Sequence, residues 1–242
     1  MMWLGSLAFN LGFYTWTTFM MVICLPILVM PRRTTFHCQR FWARGVLWLM
    51  RACVGVEVEI HGQHNLPAGA CIVAAKHQSA WDTLIWHAIV EDPAMIMKRE
   101  LLMIPLYGWY SRKVGMIAVD RGGGATALRG LLRQAETAAA LGRPIVIFPE
   151  GTRTAPGQTR PYQPGVMALY GHLDLPVVPV ALNSGHFWPR RRFLRRPGTI
   201  KLEYLEAMPP GLERRPFVAA LEERIETACT RLRPVDNSVD NR

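Results

Sequence analysis

The sequence predicts an α/β fold: one domain with a mixed, mainly parallel sheet flanked by helices, preceded by an N-terminal membrane helix. Three observations lead to this prediction. The 242 residues are 50% hydrophobic and 19% charged, so the chain can bury a core and is not disordered. No charged residue precedes Arg32. From residue 54 onward, short β-rich runs alternate with helical stretches, as they do in α/β domains.

The N-terminal segment has the composition of a membrane anchor. Residues 11–30 are uncharged and match the roughly 20 residues that cross a bilayer, without the flanks of a cleaved signal peptide. Arginines interleaved with Trp and Phe follow, including Arg40, Arg44, Trp42 and Trp48, which is typical of a helix in the headgroup layer. We expect residues 1–53 to form a spanning or re-entrant anchor plus an interfacial helix. A buried core helix with a basic loop is the alternative.

The remaining chain is predicted to be one domain over residues 54–233, with a frayed tail at 234–242. Leu128, Leu131, Leu132 and Ala135 recur at three- and four-residue intervals, which indicates a helix with one apolar face. The candidate strands are 56–60, 71–75, 94–97, 114–119, 144–148, 177–182 and 200–205. The candidate helices are 80–90, 125–141, 165–173 and 217–232.

The cysteines indicate neither a disulfide framework nor a zinc site. They stand at positions 24, 38, 53, 71 and 229, with no Cys-x-x-Cys pair and no histidine at zinc-finger spacing. We expect them to be small, buried, unpaired residues in a reducing compartment.

A histidine and an acid follow the predicted strand 71–75. His77 lies at the strand tip, and Asp82 lies in the first turn of the next helix. In α/β sheets, ligand sites lie at the carboxyl ends of the strands. An acid at this position can accept from one imidazole nitrogen and leave the other free to take a proton. A surface histidine beside an ordinary helix-initiating acid is the alternative.

Two further strand ends combine an acid, an arginine and glycine. Guanidinium groups and exposed backbone N–H groups at such ends can converge on an anion. Arginines paired with their neighbouring acids are the alternative, which is weakened because three strand ends share the pattern. The segments are Asp120-Arg121-Gly122 after strand 114–119 and Glu150-Gly151-Thr152-Arg153 after strand 144–148.

Four ordered blocks stand out together: HQSAWD at 77–82, GMIAVDR at 115–121, FPEGTR at 148–153 and LPVVPV at 175–180. In this combination the chain resembles the membrane-associated glycerolipid acyltransferases, most closely the bacterial 1-acyl-glycerol-3-phosphate acyltransferases. The resemblance covers about residues 55–185. Lys76, where the family often has Asn, and Ile117, in place of a frequent aromatic residue, depart from the family pattern and bear on acceptor preference.

The resemblance implies acyl transfer from acyl-CoA or acyl-carrier protein to the free hydroxyl of 1-acyl-glycerol-3-phosphate, which gives phosphatidate for phospholipid biosynthesis. It implies that His77 is the general base and that Asp82 orients it, without a covalent acyl-enzyme. The acyl thioester is a co-substrate, and no metal or other cofactor is expected. The substrate-binding residues implied are Arg121, Glu150, Gly151, Thr152 and Arg153, with Lys98 as a further phosphate candidate.

Other functions remain open at this point. Residues 122–127 fit a dinucleotide-binding pattern whose last glycine is Ala, and Glu150 follows the next strand, as in a nucleotide-binding oxidoreductase. That interpretation leaves His77 and Asp82 unexplained. A non-catalytic lipid-binding protein would need the arginines and the anchor but not the histidine. Another lyso-lipid, such as a lyso-ornithine lipid, is the alternative acceptor. A serine hydrolase is disfavoured, because no Gly-x-Ser-x-Gly motif occurs.

The net charge of +10 predicts an anionic partner. Five arginines lie between residues 190 and 196, a density suited to anionic headgroups or to an acidic carrier protein, with a solvated loop as the alternative. Nucleic acid is not expected, because no nucleic-acid-binding fold is recognisable. We expect the protein at the cell inner membrane, with its catalytic domain on the cytoplasmic face.

Overall fold

A seven-stranded sheet forms the centre of the computed structural model, which describes residues 2–234. Its strand order is β1-β7-β6-β2-β5-β3-β4, and neighbouring strands are parallel except β6 and β7. The predicted mixed, mainly parallel sheet is therefore confirmed. The strands are β1 (Val56–His61), β2 (Ile72–Ala75), β3 (Ala94–Lys98), β4 (Ile117–Val119), β5 (Ile145–Ile147), β6 (Val177–Leu182) and β7 (Gly198–Tyr204).

Helices cover both faces of the sheet, and each face has its own apolar core. The stripe predicted over residues 128–135 faces one core: Leu131 and Ala135 are buried there, and Leu128 and Leu132 pack against it. The short helix over Tyr107–Lys113 was not predicted. The helices are α1 (Met2–Ile23), α2 (Arg32–Val54), α3 (Trp81–Ile89), α4 (Tyr107–Lys113), α5 (Gly124–Ala140), α6 (Pro164–Leu173) and α7 (Arg214–Arg231). Most of the predicted frayed tail, residues 235–242, lies outside the described residues.

Five strands run in the same direction, which brings their carboxyl ends to one edge of the sheet. The central strands β2, β5 and β6 are wholly buried and consist almost entirely of Val, Ile and Ala, as expected for strands packed on both faces. The segments that follow β2, β3, β4, β5 and β6 therefore meet at one edge, where the sequence analysis places its candidate site.

The N-terminal region is an antiparallel helical hairpin and not a single long helix. Helix α1 ends at Ile23, and a 3₁₀ turn over Leu25–Val29 reverses the chain into α2. Pro26 lies in this turn, where its missing N–H interrupts the helical hydrogen bonds. No helix within residues 2–234 is long and apolar enough to cross a membrane. The long apolar N-terminal helix that the prediction included is thus not found among the described residues.

Contacts inside this hairpin hold its parts together, and one of them corrects an expectation. The Trp42 indole N–H donates to Thr17 Oγ1 of α1 at 3.1 Å. Cys24 and Cys38 form a disulfide between the turn and α2, so the prediction of unpaired cysteines is wrong for these two. Their pairing depends on the chain reversal between them, a tertiary feature that cysteine spacing does not encode.

Candidate active site

His77 and Asp82 form a hydrogen-bonded pair at the edge where the five carboxyl ends meet. His77 follows β2, and its Nδ1 lies 3.0 Å from Asp82 Oδ2 in the first turn of α3. The pair is shielded from solvent: His77 is 9% exposed and Asp82 is fully buried. The ring of Phe148 stacks on the imidazole with a centroid distance of 4.1 Å. The ring orientation is therefore fixed both by a hydrogen bond and by packing.

Asp82 acts as a hydrogen-bond acceptor for every group around it. The backbone N–H groups of Gln78 and Ser79 donate to Oδ2 at 2.6 and 2.8 Å. The hydroxyls of Ser79 and Ser184 donate to Oδ1. A carboxylate so surrounded can only accept from the imidazole, so the ring proton lies on Nδ1 and Nε2 is left as an acceptor.

Glu150 turns away from the cavity and supports the backbone behind His77. Its Oε2 accepts from the His77 N–H at 3.1 Å, and its Oε1 pairs with Lys76 Nζ at 2.7 Å. Lys76 is 1% exposed and also pairs with Glu226 of α7 at 2.5 Å. Burial acts to lower the pKa of Lys76, but hydrogen bonds to the two carboxylates outweigh it, and the pKa lies above its usual value. The amine therefore stays charged.

Gly151 and Thr152 differ in what they face. Gly151 has a φ of 65°, and a Cβ there would lie 2.9 Å from Gln163 Cγ, so glycine is required for this turn. Thr152 lines the cavity in front of His77. Of the predicted substrate-binding residues, Glu150 and Gly151 thus lie in the wall of the site, and neither is among the residues that line the cavity.

The cavity in front of His77 has a volume of about 510 Å³ and two chemically different parts. Predicted site residues from four strand ends line it together: His77, Lys98, Arg121, Thr152 and Arg153. Arg190 and Arg191 join them at the same end. In the described part of the chain, no Asp or Glu lines the cavity. This end is therefore strongly basic and suited to an anionic group.

The other part of the cavity is apolar and lies between the N-terminal hairpin and the helices α3 and α4. Its lining is mostly methionine, aromatic and aliphatic, for example Met20, Trp42 and Leu84. Two polar atoms there, Gln39 Oε1 and His87 Nδ1, are buried without a hydrogen-bond partner among the described residues. Burial lowers the pKa of His87 to about 4, so this ring is neutral at neutral pH.

The basic side chains differ in their partners. Lys98 is 46% exposed and pairs with Glu100 at 2.8 Å. Arg121 is exposed, and its neighbour Asp120 accepts instead from the Gly122 N–H at 3.0 Å. Arg153 is partly buried, and desolvation lowers its pKa below the usual value, although the charge of Asp82 opposes this. An arginine in such a position is stabilised by an anionic ligand.

The dinucleotide pattern is not supported by its surroundings. Strand β4 lies at the edge of the sheet, and Glu150, which would have to reach a ribose, is paired with Lys76. Within residues 2–234, no group of three or more His, Cys, Asp or Glu side chains is arranged to hold a metal ion.

Several residues of the site were missed by sequence reasoning. Ser184 reaches Asp82 from the segment after β6, 102 residues away in the chain. Arg190 reaches the cavity from the loop before β7, and its side chain donates to the Arg153 carbonyl at 3.0 Å. The density of arginines marked this loop, but nothing in the sequence indicated that the loop reaches the cavity.

Comparison with known families identifies the class of protein that this fold and site define. A family model described as Acyltransferase matches residues 57–183, more than half of the chain. The chain belongs to this acyltransferase family. The resemblance drawn from the four sequence blocks and the predicted enzyme class are confirmed.

Individual relatives of the chain have names more specific than that of the family. A Pseudomonas aeruginosa protein named 1-acyl-sn-glycerol-3-phosphate acyltransferase is 36% identical over 213 residues, which cover 88% of this chain and 82% of that protein. The Mus musculus 1-acyl-sn-glycerol-3-phosphate acyltransferase alpha is 26% identical over 81% of this chain and 70% of its own length. The crystal structure of the 1-acyl-sn-glycerophosphate acyltransferase from Thermotoga maritima matches with a TM-score of 0.78 at 24% identity, covering 96% and 98% of the two chains. This match shows the same fold.

Proposed function

We propose that the protein transfers an acyl group from a thioester donor to the free hydroxyl of 1-acyl-sn-glycerol-3-phosphate, which gives phosphatidate. The names of its relatives support this acceptor. The observation that carries the proposal is the position of His77, whose ring lines a cavity that is basic at one end and apolar at the other. A lysophosphatidate has the matching form, with a phosphate at one end and an acyl chain at the other.

His77 acts as a general base in this proposal. Asp82 keeps the ring proton on Nδ1, so Nε2 takes the proton of the acceptor hydroxyl as its oxygen attacks the thioester carbonyl. The new C–O bond forms, the C–S bond breaks, and the proton passes from His77 to the departing thiolate. No side chain is acylated, because the acceptor oxygen is itself the nucleophile.

The basic end of the cavity binds the acceptor phosphate. In lysophosphatidate the phosphate is attached to the carbon next to the one that bears the reacting hydroxyl, so it must lie close to His77. Arg153 is suitably placed, because the Thr154 N–H next to it donates to the His77 carbonyl at 2.8 Å. Arg121 and the Thr152 hydroxyl complete the set on the cavity wall. A guanidinium group can bind two phosphate oxygens at once through bidentate hydrogen bonds, which favours a phosphate over a zwitterionic headgroup.

The N-terminal hairpin brings the protein to a membrane surface in this proposal. Large apolar side chains are exposed on both of its helices, for example Leu11 at 62%, Phe41 at 61% and Trp48 at 66%. An exposed surface of this kind, with arginines beside it, suits an anionic lipid surface. The proposed location is the cytoplasmic face of the inner membrane, where the lyso-lipid would enter the cavity between the hairpin and the sheet.

An acyl-transfer assay tests the function. The purified protein in mixed micelles receives acyl-CoA with lysophosphatidate, lysophosphatidylcholine or lyso-ornithine lipid as acceptor. A His77→Ala preparation controls for any co-purified acyltransferase. We expect phosphatidate as the main product, with the other two acceptors at least about tenfold slower because they leave Arg153 without a dianionic partner. Equal rates on lyso-ornithine lipid would contradict the acceptor assignment.

A further inference from the structure

A second group of arginines lies at the cavity mouth and is not part of the sequence blocks that define the family. Arg190 and Arg191 line the cavity from the loop between β6 and β7 and are both exposed. No carboxylate pairs with either of them within residues 2–234. Lys98, which also lines the cavity, is already paired with Glu100. The charges of Arg190 and Arg191 are therefore left uncompensated by the described residues.

The loop that carries these arginines is held in place by Arg195. Arg195 is 7% exposed, and its guanidinium donates to the carbonyls of Arg192 and Phe193 at 2.5 and 2.7 Å. It also lies 4.8 Å from the ring centre of Trp188. The Arg195 N–H donates to Ser6 Oγ of α1 at 2.9 Å. The loop is therefore fixed against α1 through residues that do not line the cavity.

Two local features accompany the position of these arginines at the cavity. Arg191 has a φ of 56°, a left-handed conformation that is unfavourable for a residue with a Cβ. Arg190 donates to the Arg153 carbonyl at 3.0 Å, which anchors its side chain beside the FPEGTR block. Arg153 is partly buried, feels the charge of Asp82 and precedes Thr154, whose N–H donates to the His77 carbonyl, whereas Arg190 and Arg191 are exposed. We therefore take Arg153 as the inner cation and Arg190 and Arg191 as the outer ones.

The two substrates of the proposed reaction need phosphate sites at different distances from His77. In the acceptor, the phosphate is close to the reacting hydroxyl. In a thioester donor built on phosphopantetheine, the whole pantetheine arm separates the phosphate from the reacting carbonyl. With both substrates bound, the acceptor phosphate must lie inside the cavity and the donor phosphate at its mouth. The inner position of Arg153 and the outer position of Arg190 and Arg191 match this requirement.

We propose that Arg190 and Arg191 form a separate subsite for the phosphate that ends the pantetheine arm of the acyl donor, a group shared by acyl-CoA and acyl-carrier protein. This assignment rests on the proposed function, because it presumes a phosphopantetheine thioester as donor. It assigns different substrates to the inner and outer arginines.

Steady-state kinetics of the full chain test the assignment. Arg190→Ala combined with Arg191→Ala should raise the KM for acyl-CoA about 10-fold to 100-fold, as expected for lost charge-assisted hydrogen bonds, with kcat and the KM for lysophosphatidate changed less than about threefold. Arg192→Ala is the matched control, because Arg192 is exposed in the same loop but does not line the cavity. Its KM values should equal those of the wild type. A larger rise in the acceptor KM than in the donor KM would overturn the proposal.

A donor without phosphate identifies the source of the effect. An acyl N-acetylcysteamine thioester keeps the reacting group but lacks the phosphate, so the wild type and the double variant should use it equally well. An equal loss with this donor would overturn the subsite. With acyl-carrier protein the double variant should lose activity as it does with acyl-CoA. A loss seen with acyl-CoA alone, or with acyl-carrier protein alone, would contradict a subsite for the phosphate that both donors share.

Direct binding separates this proposal from the proposed function. Calorimetric titration with CoA should show weaker binding to the double variant than to the wild type, whatever acceptor the enzyme uses. If the wild type acylates a different lyso-lipid while the double variant still binds CoA more weakly, the proposed acceptor fails and the subsite stands. If CoA binding is equal in the two proteins, the subsite fails. Circular dichroism and thermal unfolding confirm that the variants are folded.

Discussion

The wall behind His77 and the basic mouth of the cavity are built from the same kinds of residue but differ in how their charges are satisfied. Behind His77, Asp82 accepts hydrogen bonds from four protein groups besides the imidazole, and the buried Lys76 is paired with Glu150 and Glu226. At the mouth, arginines face the cavity, and no carboxylate in the described part of the chain lines it. The charges that fix geometry are paired within the protein, and the arginines to which we assign substrate phosphates form no ion pair with a carboxylate of the described residues.

His77→Ala should have the largest effect on activity. Loss of a general base costs about 10²-fold to 10⁴-fold in kcat, and we expect the variant to remain folded. His64→Ala, which changes an exposed histidine, should leave kcat unchanged and serves as the control. Turnover of acyl-CoA and lysophosphatidate measures both. A His77→Ala enzyme with wild-type kcat would show that the paired wall does not serve catalysis.

Lys76→Met tests whether the wall depends on pairing. This change leaves Glu150 buried without its cation, and removing one partner of a buried ion pair costs about 3–5 kcal/mol of unfolding free energy. Lys98→Met breaks an exposed pair of the same chemistry and should cost less than about 1 kcal/mol. Urea unfolding monitored by tryptophan fluorescence gives both values. Similar costs for the two variants would remove the distinction drawn between wall and mouth.

His87 provides a third environment, in which a buried group is neither paired nor charged. Its folded pKa of about 4 lies below the unfolded value of about 6.5, so the unfolded chain binds more protons between these values. The contribution of His87 to the free energy of unfolding is therefore fully present above about pH 6.5 and is lost as the pH drops toward 4. This contribution is up to about 3 kcal/mol. Chemical denaturation at pH 7, 5.5 and 4 should show that the free energy of unfolding falls less for His87→Leu than for the wild type. The same fall with pH in both proteins would refute this prediction.

Arg153→Ala should have the smallest of these effects, confined to the acceptor. We expect the KM for lysophosphatidate to rise about tenfold to 100-fold while the KM for acyl-CoA stays nearly constant, because the proposed function assigns the acceptor phosphate to this arginine. Arg160→Ala, an exposed arginine nearby in sequence, is the control. An unchanged acceptor KM in initial-rate assays would argue against the inner phosphate site.

Sequence patterns located the strand ends well because those ends carry local signals. Buried strands of Val, Ile and Ala lead directly into His77 and into the Pro149 turn, and both lie at the same edge because parallel strands share a direction. Side-chain direction after a strand is not a local property. Glu150 was predicted to bind substrate but points behind His77, because Lys76 and the His77 N–H attract it there.

Long-range features account for the other differences. Ser184 and Arg190 reach the site through the return of the chain after β6, which no nearby spacing encodes. One long apolar helix was predicted at the N-terminus, but the turn at Leu25–Val29 divides that segment. Helix α4 was missed since its seven residues are too few for a clear apolar period.

The central claim is that Asp82 holds the His77 proton on Nδ1 and leaves Nε2 as the base. Nitrogen-15 NMR of the imidazole rings at about pH 8, where an ordinary histidine is neutral, measures the tautomer directly. The His77→Ala spectrum identifies the His77 signals among the seven histidines. We predict a protonated Nδ1 and an unprotonated Nε2 in the wild type, and a mixture of tautomers in Asp82→Asn. A wild-type His77 protonated on Nε2 would contradict the account.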